Sequence, residues 1–316
     1  MSLVYVLPYV NPDTDGVCSA IAYAYWCKSV KKEDALPIIF GKPDRETLFV
    51  LKHLDIGIPS TLDILDDSNR YIVVDTHQKN QLPENFPYGS VEEILDHHPT
   101  GDDNAFPNAR IHNEQIGAVA TYIAELYQQN NQHINKQIAT LLYSAIISNT
   151  LDLNAPTTND RDISMVDWLL SIVELPQNYV DQMFVARSDI SDISTIEILY
   201  NDYKEFDFSG SKVGMSQLET TDFPSFINRK DIFEAIERIV REKNLDHFVF
   251  ICADIRYQKG ALVVVSPRTK EIISTIIPGA KFHGNIAHFD RILLRKSDVI
   301  PQFKEFFSSN PKKANG

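Results

Sequence analysis

Short apolar runs alternate with amphipathic stretches along the first third of the chain. Residues 3–7, 36–40, 71–75 and 91–98 read as strands; the third is an uninterrupted apolar run ending in Asp75, and the fourth ends in Asp96-His97-His98. Between them, residues 21–30 and 45–54 carry apolar side chains at helical spacing, with Leu48, Leu51 and Leu54 on one face. Strands that are apolar throughout and alternate with helices predict an α/β domain, a mostly parallel sheet covered on both faces. From Ala118 the pattern turns helical over 118–129, 134–149 and 163–173. The first domain is placed at 1–187 and a polar, cap-rich linker at 188–195. Beyond it, 204–208, 212–220, 247–255 and 261–266 read as strands around a long amphipathic helix over 224–244, with two further short strands at 271–276 and 291–295. That pattern predicts a smaller α+β domain with a mixed sheet over 196–307, followed by a disordered tail at 308–316.

At 316 residues and 43% hydrophobic, the chain has enough apolar material for two cores. A net charge of -13 and a pI near 5.1 argue against binding a nucleic acid polymer or an anionic membrane surface. The three cysteines, Cys18, Cys27 and Cys252, lack metal-finger spacing and are too few for a disulfide framework. No apolar stretch approaches the length of a membrane span, and the first strand pattern follows Met1-Ser2 with no signal core. These features lead to the expectation of a cytoplasmic protein.

The chemistry concentrates at strand ends. Asp13 and Asp15 follow the first predicted strand, Asp75 ends the third, and Asp96-His97-His98 ends the fourth. In an open α/β sheet such positions share one rim. Carboxylates and imidazoles gathered there suit one or two hard divalent cations, which activate water for hydrolysis. Each residue also has an ordinary alternative: Asn-Pro-Asp-Thr-Asp-Gly is good turn chemistry, and Asp75 could cap a helix.

The chain resembles the DHH phosphoesterase superfamily and, within it, the manganese-dependent family II inorganic pyrophosphatases. The resemblance rests on Asn11-Pro12-Asp13-Thr14-Asp15 with Cys18-Ser19-Ala20, Asp75, Asp96-His97-His98, residues 144–148, Pro156-Thr157 and Arg295-Lys296. It implies a DHH domain followed by a smaller domain, with catalysis in the cleft between them and assembly as a homodimer. It further implies Mn2+ (or Mg2+), one or two ions, bound by Asp13, Asp15, Asp75 and His97, with Asp96 supporting the shell. His98, Lys204, Arg295 and Lys296 would hold the phosphates of a small substrate, pyrophosphate first of all.

Two departures stand at metal positions. Tyr9 replaces a histidine ahead of Asn-Pro-Asp, and Asn149, whose amide oxygen is expected to coordinate without adding charge, replaces an aspartate. Leu294 and Ser297 also depart from the basic motif, in place of a serine and a lysine. These changes keep two further readings open: hydrolysis of another small phosphoester or phosphoanhydride, and a phosphate-binding protein with weakened or lost catalysis.

Overall fold

A computed structural model describes residues 3–130 and 134–309. The chain divides into two compact units, residues 1–187 and 188–316. The first runs β1 (Val4–Leu7), α1 (Thr14–Trp26), β2 (Ala35–Pro37), α2 (Arg45–His53), β3 (Arg70–Val74), β4 (Val91–Asp96), β5 (Arg110–Asn113), α3 (Val119–Gln129), α4 (Lys136–Asn149), α5 (Asp160–Leu170) and α6 (Tyr179–Arg187). The five strands form one wholly parallel sheet in the order β2-β1-β3-β4-β5.

Side chains alternate across this sheet as the pleat requires. Val4, Val6, Ile72 and Val74 join a core with α1 to α6, whereas Leu7, Tyr71 and Val73 pack on the other face against Leu82, Phe86 and Phe106. Both faces are covered, and the described cover of the second face is irregular chain with short 3-10 turns. The first helix starts at Thr14, well before residue 21, because the Asp13 carboxylate accepts the Gly16 amide at 3.0 Å and caps it. The acidic stretch is therefore a helix start and not a loop. The fifth strand, too short and polar to be visible as a run, sits at the sheet edge.

The second unit contains α7 (Thr195–Asn201), β6 (Tyr203–Phe208), β7 (Ser211–Thr220), α8 (Phe223–Ile227), α9 (Ile232–Lys243), β8 (His247–Asp254), β9 (Lys259–Val263), α10 (Pro267–Ile276), β10 (Phe282–His283), β11 (Ile286–Phe289) and α11 (Ile300–Ser309). Its sheet is mixed, ordered β10-β11-β9-β8-β7-β6, with only β7 and β8 parallel among the described strands. The helical crossover α8–α9 makes that parallel pairing possible.

Three expectations need correction here. Residues 271–276 are helical, because Ser266 caps the start and Pro267 occupies the first turn, with Ile272 and Ile273 buried. Residues 291–295 are not a strand; β11 ends at Phe289 and a widened turn over Arg295–Val299 leads into α11. The helix expected over 224–244 is broken at 228–231, and α9 ends at left-handed Asn244. Of the tail expected at 308–316, Ser308 and Ser309 still belong to α11, and residues 310–316 lie outside the described residues.

Candidate metal centre

β1, β3 and β4 are parallel neighbours, so their carboxyl ends open on one rim. Chain progression across the sheet reverses between β1 and β3, which leaves a crevice at that rim. Asp75 follows β3 in a left-handed conformation, φ 64°, while its amide still bonds Leu95 O at 2.8 Å. A non-glycine residue held there is a strained position of the kind found at binding sites. Its Oδ1 is buried, makes no hydrogen bond, and lies 3.3 Å from His97 Nε2. Burial, and then the charges of Asp15 and Asp13, push the Asp75 carboxyl well above the usual range.

His97 faces Ile116 O through Nδ1 at 3.1 Å. A carbonyl only accepts, so Nδ1 carries the proton and Nε2 presents a lone pair. The adjacent His98 bonds Asp96 Oδ1 through Nδ1 at 2.8 Å, so that in the neutral ring Nε2 carries the lone pair. That hydrogen bond raises the His98 pKa above its ordinary value. One ligand atom from each of Asp75, His97 and His98 lies within 4.8 Å of the other two. Two facing lone pairs on Asp75 and His97, one on a buried carboxylate, repel unless a cation lies between them, so these residues fit a divalent metal.

Asp96 is buried at the end of β4, behind His97 and His98. It accepts the His97 amide at 2.7 Å, the His98 amide at 3.3 Å and the His77 ring. Burial raises its pKa, but the hydrogen bonds from His98 and His77 outweigh burial and hold it below the usual carboxylate range.

Asp15, in the first turn of α1, is fully buried. Its Oδ1 accepts from Ser19 Oγ and Ala120 N, both at 3.1 Å; its Oδ2 accepts from Val119 N at 2.8 Å and Asn149 Nδ2 at 3.4 Å. Burial, opposed by nearby His97, pushes it up to about 6. Asn149 ends α4, and its amide nitrogen also lies 2.8 Å from Gly117 O and 3.2 Å from His97 Nε2. The amide nitrogen thus faces Gly117 O, His97 and Asp15. Tyr9 Oη accepts the Asp13 amide at 3.1 Å. Burial, with the Asp13 and Asp75 charges, holds its proton on well above the ordinary phenol range. Tyr9 is therefore a neutral phenol where the resembled family has an imidazole.

Three supporting residues escaped the sequence reading. His77, buried, donates from behind Asp96. Glu46, also buried, accepts from Thr14 Oγ1 at 3.2 Å and Ser148 Oγ at 2.6 Å, tying the start of α1 to the end of α4; burial pushes it up to about 7. Asp162 grips the Gly117 amide through both oxygens, at 3.1 and 2.9 Å, and the Thr121 hydroxyl at 2.6 Å. Gly117 permits that approach, since a Cβ there would meet Asp162 Oδ2 at 2.7 Å and Thr150 Cγ2 at 2.6 Å. The signal for Asp162 was present as Asn159-x-x-Asp162, a capping box. His77 and Glu46 left no local signal.

In the second unit, Lys204 is exposed on β6 and Lys296 is exposed in the turn before α11. Arg295 is buried, donating to Asp202 O at 2.6 Å and Asp202 Oδ1 at 2.8 Å, which brings it to the start of the strand that carries Lys204.

Comparison with known proteins agrees with this architecture. Residues 3–146 match the DHH family, N-terminal domain, and residues 181–306 match the DHHA2 domain. The manganese-dependent inorganic pyrophosphatase of Methanothrix thermoacetophila is 33% identical over 96% of this chain and 98% of its own length. That of Bacillus subtilis is 29% identical over 95% of this chain and 97% of its own. The crystal structure of a Methanococcus jannaschii protein assigned to the family II inorganic pyrophosphatases superposes with a TM-score of 0.59 at 29% identity, covering 96% of this chain and 99% of that one. The chain therefore belongs to the manganese-dependent inorganic pyrophosphatases and carries their DHH and DHHA2 domains in that order.

Proposed function

We propose that this protein hydrolyses inorganic pyrophosphate to two phosphates with the help of manganese, in the cytoplasm. The observation that carries the reading is the buried, unpartnered Asp75 oxygen facing the His97 lone pair, in a chain similar to manganese-dependent pyrophosphatases over nearly its whole length. Asp13, Asp15, Asp75, His97 and His98 line the rim that would hold the metal. A bound divalent ion supplies charge neutralisation and Lewis acidity to a phosphoanhydride and to water. Asp96 holds the His98 ring through Nδ1, and Ile116 O holds that of His97, so both rings keep one orientation and one tautomer. Asp75, kept from water with its Oδ1 unpartnered, holds its charge at the rim only when a cation balances it.

Lys204 and Lys296 offer ammonium groups to phosphate oxygens, which an electron-rich diphosphate requires. Arg295, engaged by Asp202, orients the start of β6 for that purpose. The three cysteines are buried and free, as a reducing compartment demands. Among the described residues no helix is long and apolar enough to cross a membrane. A homodimer belongs to the same reading, checked by light scattering.

One observation favours a second reading. The neutral Tyr9 and the Asn149 amide stand where the resembled family places metal ligands, which suits a changed phosphoester substrate or weakened catalysis. Phosphate release from pyrophosphate, with and without Mn2+, on protein whose bound metal has been counted, tests both. Manganese-dependent turnover is expected. Tight pyrophosphate binding with no release, or release only from another phosphoester in a small panel, would replace the first reading by the second.

A further inference from the structure

Asn149 lies between Asp15 and His97 at the end of α4. Three acceptors surround Nδ2: Gly117 O at 2.8 Å, His97 Nε2 at 3.2 Å and Asp15 Oδ2 at 3.4 Å. An oxygen in that place would face a carbonyl, an imidazole lone pair and a carboxylate at once, so the group there is the nitrogen. Its N–H groups supply to Asp15 and the adjoining carbonyl the positive partner that a cation would otherwise supply. A carboxylate has about four lone-pair sites. Those of Asp15 are met by Ser19 Oγ, Ala120 N, Val119 N and the Asn149 amide. Asp15 thus has no acceptor site left for a metal.

On the other side of His97 the situation is reversed. Asp75 Oδ1 is buried with no hydrogen bond, and ligand atoms of Asp75, His97 and His98 lie within 4.8 Å of one another. The Asp96 carboxylate on His98 Nδ1 is the outer partner that metal-binding histidines commonly have, and Ile116 O serves His97 in the same way.

We propose that this chain binds a single divalent ion on Asp75, His97 and His98, with Asn149 in place of a second ion beside Asp15. His98 is then a metal ligand in addition to any part it plays toward substrate. The proposal deepens the metal-dependent reading given above, but it predicts a count and a ligand set and not a turnover.

The test is a titration of metal-stripped full-length protein with Mn2+, read by calorimetry and by electron paramagnetic resonance. One ion per chain is expected, with pulsed spectra showing two histidine nitrogens coupled to it. In His98→Gln, whose amide can keep the contact to Asp96, one nitrogen signal should vanish and affinity should fall by about a hundredfold or more, the upper end for even an outer-shell loss. Asp15→Asn should leave one ion per chain with the same two coupled nitrogens, while Asn149→Asp should admit a second ion. Two ions per chain in the parent protein would overturn the proposal. So would a single coupled nitrogen, or the loss of one of the two nitrogen couplings with Asp15→Asn in a variant that still melts cooperatively. If His98→Gln fails to fold, the nitrogen count on the parent decides alone. Failure of the pyrophosphatase reading is separate: one ion on two histidines without phosphate release leaves this assignment standing and removes that one.

Discussion

Asp162→Asn should loosen the metal rim from a position that touches no expected ligand. The Asp162 carboxylate is fully buried and accepts from Gly117 N, Thr121 Oγ1 and Asn159 N. The segment it anchors supplies Ile116 O to His97, Gly117 O to Asn149, and the amides of Val119 and Ala120 to Asp15. Replacing one carboxylate oxygen by an amide nitrogen sets a donor against at least one of these donors. A buried donor left without an acceptor costs about 1–3 kcal/mol. Taking about 2 kcal/mol, and about 2–4 °C per kcal/mol for a unit of this size, the melting temperature should fall by about 4–8 °C. Metal affinity should also fall by about 10- to 100-fold, as when an outer-shell partner is lost. Thermal melts with and without Mn2+, beside a calorimetric titration, read both effects. Asp162→Asn that melts lower yet binds Mn2+ as the parent does would show that Asp162 only stabilises α5, and the argument for the 116–120 segment would fail.

Three other outcomes follow from the same geometry. Tyr9→His combined with Asn149→Asp should raise both the number of Mn2+ ions bound and the rate of pyrophosphate hydrolysis, and each single change should help less because effects within one catalytic unit are not additive; more metal with no faster hydrolysis would point to a different substrate. Lys204→Ala should raise KM or lower kcat for pyrophosphate while leaving the melt within about 0.5 kcal/mol, the usual range for an exposed side chain; a lost cooperative transition would make Lys204 structural. Burial, and then the charge of Arg268, push His247 down to about 4 from the ordinary histidine value of 6.5. The unfolded chain takes up that proton first, so this contribution to stability is present above pH 6.5 and is lost as pH falls toward 4. His247→Gln should flatten the fall in melting temperature between those values, and an unchanged slope would refute the assignment.

Much of this protein is legible without coordinates where the signal is local. The runs at 3–7 and 71–74 are apolar because both faces of a parallel sheet are buried, and the strand at 91–96 keeps enough of that pattern in Val91, Ile94 and Leu95 to be seen. Parallel strands with alternating helices bring their carboxyl ends to one rim, so Asp13, Asp15, Asp75 and Asp96-His97-His98 could be gathered from spacing alone. The helix at Pro267–Ile276 was equally local, marked by Ser266 and Pro267, yet its isoleucine-rich run imitates a strand.

Tertiary structure decided what depends on partners far apart in the chain. Which atom of Asn149 faces the cluster is set by Gly117 O, His97 and Asp15, the last separated from it by 134 positions. His77 matters only because Asp96 lies in front of it, and Glu46 only because Thr14 and Ser148 converge on one carboxylate oxygen. Hydrogen-bond partners across strands and helices leave no periodicity in sequence, since any polar residue can be satisfied by a group that folding brings near. Sequence therefore determined the fold class and the rim of ionisable groups, because burial and strand order impose regular patterns. The acceptor count at Asp15, the unpartnered oxygen of Asp75 and the tautomers of His97 and His98 belong to the folded chain alone, where each lone pair has or lacks a specific neighbour.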